Sequence, residues 1–357
     1  MKRVIVLLVA TSCVALLSSD VSAQLFRDEM IDPNAWGTNA SATDHTETFG
    51  YDYSADGIPE APGFQAGDAA YSGLKLESNN TDFVTGAVQA TLFPLGQSFS
   101  GTYELRFDMW QNYSTLDREQ GGGAGTTEFS GGGIGYDDTT ASLGVSAGAG
   151  HQLVTTGDGG SGSDYRGFKG AFFIPNADMV TGSRNATCCS PSDAYYALFP
   201  PGSGVPPAVQ GQTGVPNENR AGSSAFQWYT HIISVNGNII THQMVNDSGL
   251  RRNILIYDTT VLDPNNVVAT DGNISIYYGD LFSSVSPSPG VTFGIVDNVI
   301  VTVPEPASIL MLALGSLGFA LVGRRRKAMK GGRCESRSPR LLVRQAAKLG
   351  SNQPPDC

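Results

Sequence analysis

Apolar and polar residues alternate with a period of two in several short segments of the chain. In residues 102–110 the apolar side chains occupy every second position, and charged side chains stand between them. Because successive residues of a strand point to opposite faces, this segment predicts a half-buried antiparallel strand. One face carries Tyr103, Leu105, Phe107 and Met109, and the other carries Glu104, Arg106 and Asp108.

Other segments have the β-branched or alternating pattern of strands. They are residues 73–77, 88–93, 168–174, 227–235, 239–245, 254–258, 274–278 and 292–303. Asn236 and Gly237 stand between two of these segments and predict a two-residue hairpin of type I′, in which both central residues need a positive φ. Many short strands without a long helical period predict an all-β fold, an antiparallel β-sandwich of the jelly-roll kind.

Three parts of the chain predict loops because they are rich in small or rigid residues. Glycine-rich stretches at 121–125 and 131–133 flank a short predicted strand. Residues 157–164 consist of Gly, Ser and Asp. Residues 200–219 are rich in Pro and Gly, and we expect them to lack regular structure.

The first residues have the pattern of a secretory signal peptide. Lys2 and Arg3 precede an apolar run at 4–17, and a Val-Ser-Ala sequence follows that ends at Ala23. Charge, apolar run and small-residue exit in this order predict export and cleavage by signal peptidase. We expect the cut between Ala23 and Gln24, which makes residues 1–23 the leader.

A second apolar run lies near the other end, at residues 307–322. As a helix that rises about 1.5 Å per residue it would span roughly 24 Å, which is short but usable in a bilayer. A basic cluster follows at once and is expected to stay on the cytoplasmic side of the membrane. This membrane-orienting cluster consists of Arg324, Arg325, Arg326 and Lys327.

The segment that joins the predicted strands to this helix carries a family resemblance. Val303, Pro304, Glu305 and Pro306, then an apolar helix, then the basic cluster resemble a PEP-CTERM sorting domain. The resemblance implies that an exosortase-type membrane protease or transpeptidase recognises the Pro-Glu-Pro element. It also implies a helix that holds the chain in the lipid bilayer, and delivery to the cell envelope, the surface or the extracellular matrix.

Four regions follow from these features: a leader at 1–23, an extracytoplasmic sandwich at 24–302, a sorting signal at 303–327, and a basic tail at 328–357. Members of the resembling family usually end soon after the basic cluster, whereas this chain continues for thirty residues. The tail is expected to be a disordered cytoplasmic extension or a reading-frame artefact beyond the natural stop.

The charge of the chain is unevenly distributed. The whole chain carries a formal charge of −11, but residues 24–303 hold 10 of its Lys and Arg and 29 of its Asp and Glu, a balance of −19. Such a domain repels nucleic acid and anionic surfaces, so we expect no nucleic-acid partner. Solubility is the simplest reason for the charge, and weak binding of divalent cations is the alternative.

Two acidic turns are candidate calcium sites. Asp52, Ser54 and Asp56 have the opening spacing of an EF-hand loop, but position twelve, which needs a bidentate Glu, is Gly63. Residues 159–164 match half of a calcium β-roll repeat and occur once, whereas such repeats work in stacks. We therefore assign no metal site and no cofactor, and leave only weak calcium binding open.

No motif nominates a catalytic residue, and an enzyme is not expected. The chain has neither a Gly-x-Ser-x-Gly elbow nor a His-Glu-x-x-His helix. The four histidines are scattered in the sequence at positions 45, 151, 231 and 242. His231 and His242 fall on neighbouring predicted strands and could approach each other, and we expect a solvent-facing pair. Adjacent Cys188 and Cys189 predict a local turn or an ordinary pair of thiols.

The middle of the chain has a broader resemblance. Residues 51–54 (YDYS), 57–62 (GIPEAP), 73–77 (GLKLE), 105–110 (LRFDMW) and 296–299 (VDNV) resemble uncharacterised exported PEP-CTERM proteins. Those proteins are similar to concanavalin-like or laminin-G-like sandwiches, and the resemblance implies this fold without any functional residue.

Three functions remain for the sandwich. The first is a non-enzymatic surface or matrix protein, the second a carbohydrate-binding module that contacts extracellular polysaccharide, and the third a secreted glycan-active hydrolase. Aromatic side chains that could stack on sugar rings would support the second, although aromatic residues in strands are more often core. They are Trp110, Tyr113, Tyr165, Trp228 and Tyr229.

Overall fold

The computed structural model of the chain describes most of the region between residues 22 and 304. The described residues are 22–81, 86–120, 127–139, 150–160, 164–170, 172–173, 194–212, 220–260, 268–282, 285–286 and 288–304. The chain divides into two units, Met1–Pro304 and Glu305–Cys357, and every described residue belongs to the first. The predicted leader up to residue 21, the membrane helix, the basic cluster and the tail, together with Cys188 and Cys189, lie outside the described residues.

Strands dominate the described part of the chain. They are β1 Ser22–Asp28, β2 Trp36–Ala40, β3 His45–Asp52, β4 Ser72–Ser78, β5 Val88–Pro94, β6 Tyr103–Asn112, β7 Glu128–Tyr136, β8 His151–Thr156, β9 Tyr165–Lys169, β10 Phe172–Phe173, β11 Tyr229–Asn236, β12 Ile239–Asn246, β13 Arg251–Asp258, β14 Asn273–Asp280 and β15 Phe293–Pro304. Two short α-helices accompany them, α1 Thr115–Gln120 and α2 Ala194–Leu198.

The strands form two antiparallel sheets. The eight-stranded sheet has the order β13-β12-β11-β6-β15-β4-β3, with β1 also paired to β15, and the seven-stranded sheet has the order β10-β9-β8-β7-β14-β5-β2. The main hydrophobic core draws buried residues from both sheets, which therefore pack face to face. The all-β antiparallel sandwich predicted from the sequence is confirmed.

Strand β6 lies in the middle of the eight-stranded sheet and shows how the alternation works. Its four apolar residues, Tyr103, Leu105, Phe107 and Met109, are fully buried in the core. The opposite face is only partly open to solvent, because Asp108 and Trp110 on that face are also buried, at 0% and 3% exposure. A loop at residues 57–71 covers them, and it contributes the backbone N–H of Gly63 to Asp108.

This covering loop creates a second, smaller hydrophobic cluster on the outside of the eight-stranded sheet. Tyr53 and Ile58, before and within the loop, pack there against Trp110, Trp228 and Ile295 of the sheet and its flank. The indole Nε1 of Trp228 donates a 2.6 Å hydrogen bond to the carbonyl of Pro59. The outer face of this sheet is therefore a packed layer at one end and not a solvated surface.

The glycines at 131–133 correct a predicted loop, because they lie in the middle of β7. A Cβ on Gly132 would lie 2.8 Å from the Phe107 ring of the facing sheet and would also collide with the carbonyl of Ser275. Glycine therefore lets the two sheets approach each other at this point. Strand formation here depends on close packing, which composition alone does not reveal.

Two further predictions need correction in detail. The predicted hairpin at Asn236 is present, but the central residues are Gly237 and Asn238 and only Gly237, at φ 59°, has a positive φ. This is the arrangement of a type II′ turn and not of type I′. The predicted strand at 168–174 is interrupted after Lys169, since Gly170 adopts φ 52° and donates to the carbonyl of Gly150.

Helical structure is sparse, as the sequence predicted. Asp52 accepts a hydrogen bond from the backbone N–H of Ser54 and caps a single 3₁₀ turn, Tyr53–Asp56, that ends at Gly57 with φ 73°. The EF-hand-like spacing is therefore an ordinary capped turn. Among the residues that the structure describes, no helix is long and apolar enough to cross a membrane.

Candidate functional site

The sorting segment begins where the sandwich ends. Val303 and Pro304 are the last two residues of β15, whereas Glu305 and Pro306 lie beyond the described residues. Proline has no backbone N–H and cannot continue a ladder of strand hydrogen bonds. Strand β15 therefore ends at the first proline of the sorting segment, without an intervening linker.

The first described strand lies beside this last one. Strand β1 pairs antiparallel with β15, with Ser22 opposite Pro304, Ala23 opposite Val303, and Gln24 opposite Thr302. The predicted signal-peptidase site between Ala23 and Gln24 is thus next to the start of the sorting segment. A chain that begins at Gln24 would keep its pairing from Thr302 back to Val299.

Three histidines form a hydrogen-bonded chain between the two sheets. His151 lies on β8 of the seven-stranded sheet, and His242 and His231 lie on β12 and β11 of the other. His151 Nε2 is 2.9 Å from His242 Nδ1, and His242 Nε2 is 2.8 Å from His231 Nδ1. All three side chains are fully buried. The predicted approach of His231 and His242 is confirmed, but a solvent-facing pair was wrong.

Apolar and aromatic groups surround this histidine chain. The Phe107 ring stacks on His231 with a centroid separation of 4.8 Å, and Tyr257 packs 5.3 Å from His151. Burial lowers the pKa of His151 to about 3, and burial together with the charge of His151 lowers the pKa of His231 to about 3. Burial and both neighbours lower the pKa of His242 well below its usual value. All three imidazoles are therefore neutral at neutral pH.

A carboxylate cluster lies on the outer face of the eight-stranded sheet, beneath the loop at 57–71. Asp108 on β6 and Asp297 on β15 are directly opposite each other, and each is 2% exposed or less. Asp108 accepts hydrogen bonds from the Thr230 hydroxyl, the Gly63 N–H and the Asn298 amide at 2.6, 2.6 and 3.1 Å. Burial nevertheless raises the pKa of Asp108.

Asp297 is the more strongly perturbed member of the pair. Burial raises its pKa to about 8, against hydrogen bonds from the Tyr53 hydroxyl and the Asn298 N–H. The Tyr53 hydroxyl lies 2.6 Å from Glu60 Oε1 and 3.0 Å from Asp297 Oδ2. A tyrosine has one proton to donate, so a protonated Asp297 that donates to Tyr53, which donates to Glu60, satisfies all three groups.

Glu128 is a further buried carboxyl group that the sequence did not nominate. It lies on β7 opposite Asp280 of β14 and is 3% exposed. Within the described part of the chain neither of its carboxyl oxygens has a hydrogen-bond partner. Burial raises its pKa well above the usual range, and the nearby Asp280 and Asp158 raise it further. No sequence motif marks this position, because Glu128 simply precedes an apolar residue in a short strand.

The aromatic residues nominated for stacking on sugars belong to the core. Their exposed fractions are 3% for Trp110, 2% for Tyr113, 1% for Tyr165, 2% for Trp228 and 0% for Tyr229. The interpretation that these five aromatic residues are core is confirmed, and none of them is placed to stack on a sugar ring. Exposed aromatic rings occur elsewhere, at Phe64, Tyr71 and Phe282, with exposures of 41%, 40% and 45%.

The acidic segment at 157–164 is less open than its composition suggests. Asp158 is 5% exposed and Asp164 is fully buried, and the Tyr196 hydroxyl donates to Asp164 at 3.0 Å. Among the described residues, no three His, Cys, Asp or Glu side chains are placed to hold a metal ion. Weak calcium binding therefore stays a prediction.

An amide-rich cleft of about 300 Å³ lies near α1, between Ser114 and Val291. Its side-chain amides bond mainly to one another: Gln212 Nε2 donates to Gln210 Oε1, which also accepts from Asn112 Nδ2. Because these groups satisfy each other, the cleft offers few free polar atoms to a ligand.

A comparison with protein families confirms the predicted sorting motif at the end of the sandwich. The PEP-CTERM protein-sorting motif matches residues 302–327. The chain therefore carries this motif from the last residues of β15 through the basic cluster. A search of curated proteins finds no significant match.

Several lectins are among the solved structures that resemble the chain, at low similarity. Peanut lectin with a nonapeptide is 9% identical over 80% of this chain and 98% of its own, with a TM-score of 0.36. The exoplasmic domain of VIP36, in a form with Ca²⁺ and Man3GlcNAc, is 6% identical over 78% and 89%, with a TM-score of 0.38. Lectin I-B4 of Griffonia simplicifolia, in metal-free form, is 10% identical over 80% and 95%, with a TM-score of 0.33. None of these values is high enough to transfer a ligand.

Proposed function

We propose that this chain is an exported, non-enzymatic protein of the cell envelope or extracellular matrix, sorted by an exosortase-type membrane protease or transpeptidase. The observation that carries the proposal is the sorting-motif match at 302–327, which begins inside the last strand of the sandwich. In this proposal the sandwich is the exported domain, and the segment that follows it is the sorting signal.

The junction suits recognition by a processing enzyme. The two prolines flanking Glu305 disfavour helix and hold the chain extended, as a protease-like site requires. Glu305 is the only charged residue between Asp297 and Arg324, so it is the natural group for the enzyme to read. The apolar run at 307–322 would hold this segment beside the bilayer, with Arg324–326 on the cytoplasmic side.

The mass of the processed protein tests both ends at once. The wild-type chain should begin at Gln24 and lack its C-terminal helix in cells that contain an exosortase. Glu305→Ala should leave a longer, membrane-retained form, because the enzyme loses its charged contact. Glu47→Ala serves as the control, since Glu47 is a half-buried acidic residue of β3 that lies outside the sorting segment.

Intact mass spectrometry should be run on both variants and the wild type, in cells with and without the exosortase. Identical masses in every combination would overturn the sorting proposal and leave a permanent C-terminal anchor. Recovered peptides that start before residue 20 would count against leader cleavage.

Carbohydrate binding is the alternative function, and a glycan-active hydrolase is the third. The five aromatic residues considered as sugar contacts are buried, so carbohydrate binding would need other side chains. A glycan array and a hydrolase screen with the full chain would detect either activity.

A further inference from the structure

The three histidines have more N–H groups than the hydrogen bonds between them can use. Each neutral imidazole has one N–H, so His151, His242 and His231 share three N–H groups. The chain contains two hydrogen bonds, and each of them uses one N–H. One N–H is therefore left over at one end, and one lone pair is left at the other.

The structure leaves both end atoms buried. In the described part of the chain, His151 Nδ1 and His231 Nε2 have no hydrogen-bond partner. Either tautomer pattern places the surplus N–H at one of these two atoms. Buried donors without acceptors are costly, so the neutral chain already has one unsatisfied group.

Added protons make this arrangement worse in two steps. One extra proton leaves both hydrogen bonds in place but puts a charge in the core and an unsatisfied N–H at both ends. A second extra proton leaves five N–H groups on six nitrogens, so two N–H groups must face each other across one of the bonds. At that point a hydrogen bond that joins the chain is lost.

In the described part of the protein, no acidic side chain near the three histidines compensates for positive charge. Phe107 of β6 stacks on His231, Tyr257 of β13 packs against His151, and Tyr229 lies two residues before His231. Lys169 of β9 is directly opposite His151 in the sheet and is 3% exposed, so the side chain across from His151 is not an acidic one. Within the described residues no carboxylate contributes to the pKa of any of the three histidines.

We propose that the His151–His242–His231 chain is an acid-sensitive latch between the two sheets. Neutral imidazoles bridge His151 of the seven-stranded sheet to His242 and His231 of the eight-stranded sheet. Acidification of the medium outside the cell opens the latch, because the three side chains take up protons only when the sheets separate. This role is independent of the sorting signal and would make an exported sandwich sensitive to the pH of its surroundings.

The proton uptake on unfolding tests the latch. Below an ordinary histidine pKa of about 6.5, each imidazole released on unfolding raises the unfolding constant by about tenfold per pH unit. The chain therefore contributes up to about 1000-fold between pH 6 and pH 5. Chemical denaturation of the full chain in mild detergent, at both pH values, measures this change.

His242→Gln removes the middle imidazole and should reduce the acid response by about tenfold or more, because at least one released proton acceptor is gone. His45→Gln is the control, because His45 lies on β3 outside the latch with its ring beside Ala42 and Glu47. Equal acid responses in His242→Gln and the wild type would overturn the proposal.

Histidine ring nitrogen shifts measured by NMR test the same idea without a substitution. In the folded full chain at pH 5, three rings should be neutral, and two pairs should show hydrogen-bond coupling between rings. A charged ring among the three in the folded protein at pH 5 would overturn the latch. This measurement stays decisive even where His242→Gln fails to fold.

Discussion

The histidine chain and the carboxylate cluster are both buried groups of titratable side chains, but they lie in different layers. His151, His242 and His231 lie between two sheets, where strands fix every neighbour and the polar partners along the chain are other imidazoles. Asp108 and Asp297 lie outside the eight-stranded sheet under a loop, where backbone, hydroxyl and amide donors reach them. The loop layer supplies hydrogen-bond donors to its carboxylates. In the described core, the three histidines bond only to one another.

The two clusters also respond to pH with opposite sign. A histidine with a lowered pKa binds fewer protons in the folded than in the unfolded state, so stability is lost as pH falls from about 6.5 towards 3. An aspartic acid with a raised pKa binds more protons when folded, so stability is lost as pH rises from about 3.8 to about 8. Of these two effects, three histidines outweigh one aspartic acid below about pH 6.5, and only Asp297 changes above it, so stability should be greatest near pH 6.5.

Asp297→Asn should have the largest effect on stability, and it should change only the contribution of the carboxylate cluster to the pH dependence. The amide keeps an acceptor for the Asn298 N–H and a donor for Tyr53, but it cannot ionise. A shift of about four pKa units corresponds to at most about 5 kcal/mol at pH 8. We expect the variant to be more stable than the wild type at pH 8 by several kcal/mol, and equal to it at pH 4.

Urea denaturation at the two pH values measures this difference. Asp258→Asn is the matched control, because hydrogen bonds from Thr260 lower the pKa of Asp258 at the end of β13, so this substitution should give no gain at pH 8. A loss of similar size at both pH values for Asp297→Asn would contradict the assigned protonation state.

Period-two alternation accounts for what the sequence could predict in these regions. It placed Phe107 in the core of β6, and the same rule puts His231 on the face of Ile233 and Val235 in β11. Applied to the histidines, the rule would have predicted burial and not a solvent-facing pair. The contact between His242 and His151 depends on how the two sheets pack, and no local sequence pattern predicts that packing.

Contacts that are distant along the chain explain what was missed. Asp108 looked solvent-facing because its cover, the loop around Gly63, lies 45 residues earlier. Strand β1 was not predicted, since its partner β15 lies at the other end of the sandwich and the segment is short. The short strand predicted before residue 131 is the first part of β7, and the rest of β7 was missed because its glycines are typical of a loop.

Two glycine substitutions sharpen the comparison of the layers. Gly132→Ala places a Cβ 2.8 Å from Phe107 of the facing sheet and against the carbonyl of Ser275 on the neighbouring strand, so strand backbone must shift to admit it. Gly63→Ala places a Cβ 2.5 Å from Asp108 and 2.8 Å from Asn298, but the loop that carries it can shift. We expect losses of about 3 kcal/mol and about 1 kcal/mol respectively.

Thermal and urea unfolding of both glycine variants at pH 6 would measure the two losses. The packing of Phe107 on His231 predicts that Gly132→Ala also disturbs the histidine chain, so its acid response should change. Equal losses in the two variants would mean that the loop is as rigid as the core.

Two tyrosine substitutions make the smallest and most specific test of the difference between the layers. The hydroxyl of Tyr53 contacts Glu60 and Asp297, so Tyr53→Phe should cost about 1–2 kcal/mol by leaving buried groups unsatisfied. The hydroxyl of Tyr257, beside the histidine chain, has no hydrogen-bond partner in the described part of the chain. Tyr257→Phe keeps the ring against His151 and should change stability by less than about 0.5 kcal/mol. Urea midpoints for the pair at pH 6 decide between these expectations, and a loss at Tyr257 that matched the loss at Tyr53 would show that the core hydroxyl has a partner after all.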